Sequence, residues 1–270
     1  MIKTSAGIAK EDGSTTLAKK SRRPGLSEWA SIVPDVEWGV YLRAIKAVRP
    51  LSWPFLIGGA FGLACHTGRW RNTKDIDFFV LADHREGFID ALTKAGFVDY
   101  FETLAYDRSW IYRGILHGTI VDIIWDTPNH RCAVDERWIA HALRVELRGE
   151  SLLAIPPEEL LFIKAFVLQK DRCDWSDLFN LLCFQVGHLD WDRLIARFGP
   201  ELPLLRGILN VFAWLCPVEA SQIPVEIRAR LGVEIVLPEN PAEATRTRVG
   251  LLDSRPWFAA FQAIDAPMKL

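Results

Sequence analysis

The chain contains no Cys-x-x-Cys pair and no His-x-x-x-His cluster, and its five cysteines (65, 132, 173, 183 and 216) are scattered and odd in number. That excludes a zinc site or a disulfide framework and fits reduced thiols in a cytoplasm. No apolar run reaches membrane-spanning length and the N-terminus lacks the apolar core of a signal peptide, so a cytoplasmic protein with no membrane partner is expected. The net charge is only −2 although 24% of the residues are charged. A chain that coats nucleic acid nonspecifically needs a strong basic excess, which is missing here; a local basic patch is not excluded. There is no internal repeat. What is present is a hydrophobic half of 270 residues, enough for one large or two ordinary domains, with eleven tryptophans that read first as packing.

The informative stretch is Phe55 to Val80, FLIGGAFGLACHTGRWRNTKDIDFFV. Leu56 and Ile57 read as the end of a buried strand. Gly58 and Gly59 then allow a tight turn and a close approach to a ligand. Ala60 to His66 can start a helix whose unpaired N–H groups face the same space, the arrangement that cradles a phosphate. Asp75-Ile-Asp77-Phe-Phe-Val80 alternates with period two. Asp75, Asp77 and Phe79 therefore share one strand face while Ile76, Phe78 and Val80 enter the core. Two carboxylates roughly 7 Å apart at their Cα atoms can share or bridge hard divalent cations.

This order, Gly-Gly, a helix, then Asp-x-Asp on a strand, resembles the nucleotidyltransferase superfamily whose best-known member is DNA polymerase beta. Arg69, Arg71 and Lys74 before the acids make it similar to the minimal bacterial branch. The resemblance implies an α/β (α+β) fold, a mixed β-sheet nucleotidyltransferase core with flanking helices and a helical C-terminal region. It also implies a third acid on a later strand.

The remaining chain is expected to fill in that frame. Residues 1–25 read as a disordered basic tail, 26–150 as the nucleotidyltransferase core and 151–270 as a helical C-terminal domain. Leu26 to Val48 is helical, divided by Pro34, with Ser27 and Asp35 as caps. Asp83 to Ala95 is a helix closed by Gly96. Phe97–Ala105, Ser109–Ile115 and Thr119–Trp125 are strands, the last two joined at His117-Gly118. Asp122 sits mid-strand among residues that should be buried, where a lone carboxylate is costly. It either pairs with Arg113 of the preceding strand or joins Asp75 and Asp77 as a third metal ligand or as the base for the acceptor. Asp126 has the same parity but lies roughly 13 Å further on. Residues 130–150 read as a charged, helical connector, and 188–270 as further helices that wall one side of a cleft, looser after about 236.

In the C-terminal part, Pro157-Glu-Glu begins a helix that carries Lys164 on the edge of its apolar stripe, and Asp174, Asp177, Leu178 and Leu181 share a helical face. An early-helix lysine followed by Asp-x-x-Asp-Leu resembles the nucleotidyltransferase-type toxins of abortive-infection and toxin–antitoxin systems. By that resemblance, Lys164 contacts nucleotide phosphate, Asp177 orients a catalytic group or acceptor, and Asp174 matches the preceding acid. A plainer reading pairs Lys164, Lys170 and Arg172 with Asp171, Asp174 and Asp177 on solvated faces. The whole implies a transferase that uses two Mg²⁺ ions, with Mn²⁺ as a substitute, held by Asp75, Asp77 and Asp122. Gly58 and Gly59 grip the NTP (ATP, for example), and Arg71, Lys74 and Lys164 neutralise the leaving group. The NMP passes to an acceptor hydroxyl on RNA, such as a tRNA end, or on a protein, and an antitoxin is the implied partner. The alternatives are an antibiotic (aminoglycoside-type) nucleotidyltransferase, with a small-molecule acceptor, and a catalytically silent nucleotide- or partner-binding module.

Overall fold

The computed structural model describes residues 28–170 and 172–252, so the expected basic tail, the Ser27 cap and Asp171 lie outside the described residues. Seven strands form one mixed sheet in the order β3-β4-β5-β2-β1-β7-β6. These are β1 (Leu56–Ile57), β2 (Asp75–Phe79), β3 (Val98–Asp99), β4 (Ile111–Leu116), β5 (Thr119–Ile124), β6 (Leu143–Leu147) and β7 (Glu150–Ala154). Strand β2 runs antiparallel to β1 and parallel to β5, while β4 and β5 make the antiparallel hairpin expected at His117-Gly118.

Each sheet face carries apolar residues that pack under its own set of helices. On one side Ile76, Phe78, Val121 and Ile123 pack under α1 (Asp35–Val48) and α3 (Arg85–Lys94). On the other, Leu56, Phe79, Ile111 and Ile124 join a second core with α5 (Pro157–Ala165), α6 (Trp175–Gln185), α7 (Trp191–Phe198) and α8 (Leu202–Leu215). Helix α2 (Gly59–Thr67) touches both cores, with Phe61 and Ala64 on one side and Leu63 on the other. His66 at its end lies 2.7 Å by Nε2 from the carbonyl of Ile155, and its own carbonyl accepts from Gln185 at 2.6 Å, which ties α2 to α6. A buried ionic bridge fastens α5 to α7: Arg193 pairs with Glu158, and Arg197 reaches both Glu159 and Asp135.

Two stretches differ from the sequence reading. Residues 130–150 are not a helical connector. The described helix there is α4 (Glu136–Ala140), followed by β6, because Leu143-Arg-Val-Glu-Leu alternates and Arg148-Gly149, at φ 48° and 86°, supplies a tight hairpin to β7. The hairpin adds to the sheet because β7 pairs in parallel with β1 at Ile57↔Ala154. Strand β7 thus runs across position 150, where the sequence places a division. Conversely, the strand expected over 97–105 stops at Asp99, whose side chain accepts from the Phe101 N–H and turns the chain into a short 3-10 helix, Tyr100–Glu102. Further on come α9 (Pro217–Ala220), α10 (Val225–Leu231) and α11 (Pro241–Leu251), so helix persists beyond 236. Among the described residues, no helix is long and apolar enough to cross a membrane.

Candidate active site

The parallel register of β2 and β5 sets Asp77 beside Asp122, and Asp75 lies two residues back on the same face as Asp77. One carboxylate oxygen from each of the three aspartates falls within 4.8 Å of the others. They sit in a cleft of about 700 Å³ between the sheet and the helices α5 and α6.

The glycine turn is shaped by the acids. Gly59 has φ +53°, and a Cβ there would lie 1.7 Å from Oδ2 of Asp77. No side chain fits. A Cβ at Gly58 would meet the Phe79 ring at 2.1 Å, and the Gly58 N–H donates to the carbonyl of Asp77 at 3.0 Å. The turn therefore lies directly on the strand that carries the acids. Gly59 and Ala60 line the cleft at the start of α2, where the first N–H groups have no partner within the helix.

The three acids differ in support. Asp75 accepts from the Thr73 hydroxyl. Asp122 is buried and held by Arg113 with two parallel bonds, Nε to Oδ1 at 2.9 Å and the Nη2 atom to Oδ2 at 2.7 Å. Asp122 thus makes the expected pair with Arg113 and also stands beside Asp75 and Asp77. Each of its oxygens keeps a second lone pair. Burial raises the Asp122 carboxyl above the usual range, opposed by Arg113. Asp77 is raised further, first by burial and then by the neighbouring charges of Asp75 and Asp122. An all-oxygen donor set with uncompensated repulsion fits a hard divalent cation such as Mg²⁺.

The second acidic group is built differently. Lys164 is 3% exposed, and its Nζ reaches Asp177 at 2.7 Å and Asp174 at 3.1 Å. Asp177 also receives Arg71 through two nitrogens at 3.0–3.1 Å, and Asp174 receives Arg172 at 3.0 Å. Lys164, Asp174 and Asp177 are buried at the cleft wall while Arg71 and Arg172 reach them from its more exposed side; the expected pairing is present but the solvated-face reading of Lys164, Asp174 and Asp177 is corrected, since α5 and α6 pack against each other across them. Burial opposes ionisation of Asp174, yet Arg172 and Lys164 outweigh it and hold the carboxyl down to about 2.

The structure therefore brings Gly59, Arg71, Asp75, Asp77, Asp122, Lys164 and Asp177 to one cleft. Gly58 backs the turn beneath, Lys74 is exposed and outside the cleft lining, and Asp126 lies at the rim with Oδ2 2.8 Å from Nδ1 of His130. Thr73 escaped sequence reasoning, although its position two residues before Asp75 was a usable signal.

The family described as "Uncharacterised nucleotidyltransferase" matches residues 58–213, more than half of the chain. The chain belongs to that family, and nucleotidyl transfer is its class of reaction. No curated protein matches it. Among solved structures it is similar to the antibiotic-resistance factor ANT(2'')-Ia, at 13% identity and TM-score 0.38, over 81% of this chain and 96% of that one. It is also similar to the lincosamide antibiotic adenylyltransferase LnuA, at 18% identity and TM-score 0.39, over 55% and 96%. A third is JHP933 from Helicobacter pylori, at 16% identity and TM-score 0.37, over 88% and 98%.

Proposed function

We propose that this protein moves an NMP from an NTP to an acceptor hydroxyl and releases pyrophosphate, with Mg²⁺ held by Asp75, Asp77 and Asp122. The observation that carries the reading is the convergence of three carboxylates within 4.8 Å against a glycine turn that no side chain could replace. Bound Mg²⁺ would supply Lewis acidity toward the triphosphate and the acceptor hydroxyl. The first N–H groups of α2, bared by Gly58 and Gly59, bind the β and γ phosphates. Arg71 and Lys164 exchange part of their carboxylate bonding for phosphate oxygens as charge develops on the leaving pyrophosphate. The acceptor oxygen bonds to the α-phosphorus, the α–β bridge bond breaks, and the acceptor proton passes to Asp122, which Arg113 holds in place.

The test is incubation with Mg²⁺ and each α-labelled NTP, reading labelled acceptor and released pyrophosphate with and without chelator. Chelator-sensitive release is expected, and no release with any NTP would sink the reading. One observation favours a second reading: the two parallel hydrogen bonds that Arg113 donates to Asp122 resemble a closed structural pair. A protein that holds nucleotide without transferring it would bind NTP tightly in the same assay and release nothing.

A further inference from the structure

The cleft extends past the triad into a chamber with a different character. On the shared face of β2 and β5, the row after Asp77 and Asp122 is Phe79 and Ile124, and Ile111 of β4 pairs with Ile124. These three form an apolar floor. Trp110 stands beside it, its carbonyl accepting from the N–H groups of Trp125 and Asp126, and Ile163 and Phe166 face it from α5 and its end. Asp126 closes the far rim.

Position within the sheet assigns the chamber a role. The glycine turn and α2 leave from β1, on one side of β2, whereas β5 and β4 lie on the other. Attacking and leaving oxygens lie roughly in line across the transferred phosphorus. A triphosphate seated at α2 therefore directs the acceptor to the β5–β4 side, beside Asp122.

Charge then restricts what the acceptor can be. Six aspartates line the cleft against four cations, and each of those cations already holds a carboxylate: Arg71 to Asp177, Arg113 to Asp122, Lys164 to Asp174 and Asp177, Arg172 to Asp174. Nucleic-acid binding rests on lysines and arginines offered to phosphates. Among the described lining residues, the chamber offers none.

Resting on the nucleotidyl-transfer reading above, we propose that the chamber of Trp110, Ile111, Ile124, Ile163 and Phe166 is the acceptor subsite. Its occupant is a small hydroxylated molecule with an apolar face and no phosphate, rather than an RNA end. Pockets of about 300–1,000 Å³ lined mainly by apolar groups with a few fixed polar ones are the usual form of small-molecule sites.

The experiment uses the full chain, Mg²⁺, α-labelled NTPs and four probes: methyl β-glucoside, hexyl β-glucoside, glucose 6-phosphate and tRNA. Hexyl glucoside is expected to take label at least about tenfold faster than methyl glucoside, because its chain can be buried. Glucose 6-phosphate and tRNA should stay at background. The hexyl-to-methyl ratio should fall to near one in both Ile163→Asp and Trp110→Ala. Faster label on tRNA than on hexyl glucoside, or a ratio near one in the unaltered chain, overturns the assignment. Absence of pyrophosphate in every arm defeats the transfer reading itself; saturation-transfer NMR then decides the chamber. A hexyl-chain signal that both substitutions remove supports the subsite, and no such signal overturns it.

Discussion

Two groups of aspartates face the same cleft, and the fold treats them in opposite ways. Asp174 and Asp177 are given three cations where α5 and α6 pack together, and Arg172 and Lys164 hold the Asp174 carboxyl down to about 2. Asp75, Asp77 and Asp122 receive one arginine and one hydroxyl among them, and Asp77 rises well above the ordinary 3.8. The first group carries its counter-charge within the chain. The second leaves a deficit that an external cation could fill, and that contrast in counter-charge distinguishes the two groups better than residue type or burial does.

The sharpest way to break the contrast is Asp77→Asn. Transfer should fall by about a thousandfold, while the melting temperature in chelator stays level or rises because repulsion within the triad is relieved. Retention of most turnover would remove Asp77 from the site. Arg113→Leu comes next. Asp122 loses its only salt-bridge partner among the described residues and holds its proton more tightly, so transfer should drop about a hundredfold, with partial recovery in Arg113→Lys; an unchanged rate would make the pair irrelevant to chemistry.

In the compensated group, Asp177→Asn should cost about 2 kcal/mol in urea unfolding, since Lys164 and Arg71 lose a shared partner. That loss should be the same with and without Mg²⁺; if Mg²⁺ alters it, the two groups are not separate. The smallest effect is the pH dependence. A carboxyl whose folded pKa is raised binds more protons folded than unfolded, so Asp77 and Asp122 make the chelated protein less stable as pH rises from about 4 toward their folded values. Asp174 has the reverse sign, contributing stability above 3.8 that is lost as pH falls toward 2. Melting curves should therefore slope downward in chelator as pH rises above about 4, more steeply than in Asp77→Asn, by about 1 kcal/mol per pH unit for each proton released, and flatten with Mg²⁺. A flat curve in chelator would contradict the deficit.

Much of this was legible where one short stretch carries both residue type and geometry. Gly58-Gly59, the alternation of Asp75 and Asp77, and the His117-Gly118 hairpin that sets Arg113 opposite Asp122 are all local patterns. The β6–β7 hairpin was missed because charges at Arg144 and Glu146 masked an alternation that only pairing with β1 makes decisive. The burial of Lys164 was missed for another reason. Its partners, Asp174 and Asp177, stand ten and thirteen residues on at the start of α6, and Arg71 reaches Asp177 from the segment between α2 and β2, so nothing in the helix sequence around Lys164 distinguishes a solvated lysine from an enclosed one.

The hairpin at His117-Gly118 also sets where the chain tolerates changes in length. With β5 fixed against β2, one extra residue in that two-residue reversal would slide β4 by a position and turn Arg113 away from Asp122. Residues added between Tyr100 and Asp107, outside the ladder, would leave the pairing untouched. Natural variation in loop length should gather in that second segment, and the first should keep its size wherever Arg113 and Asp122 are kept together.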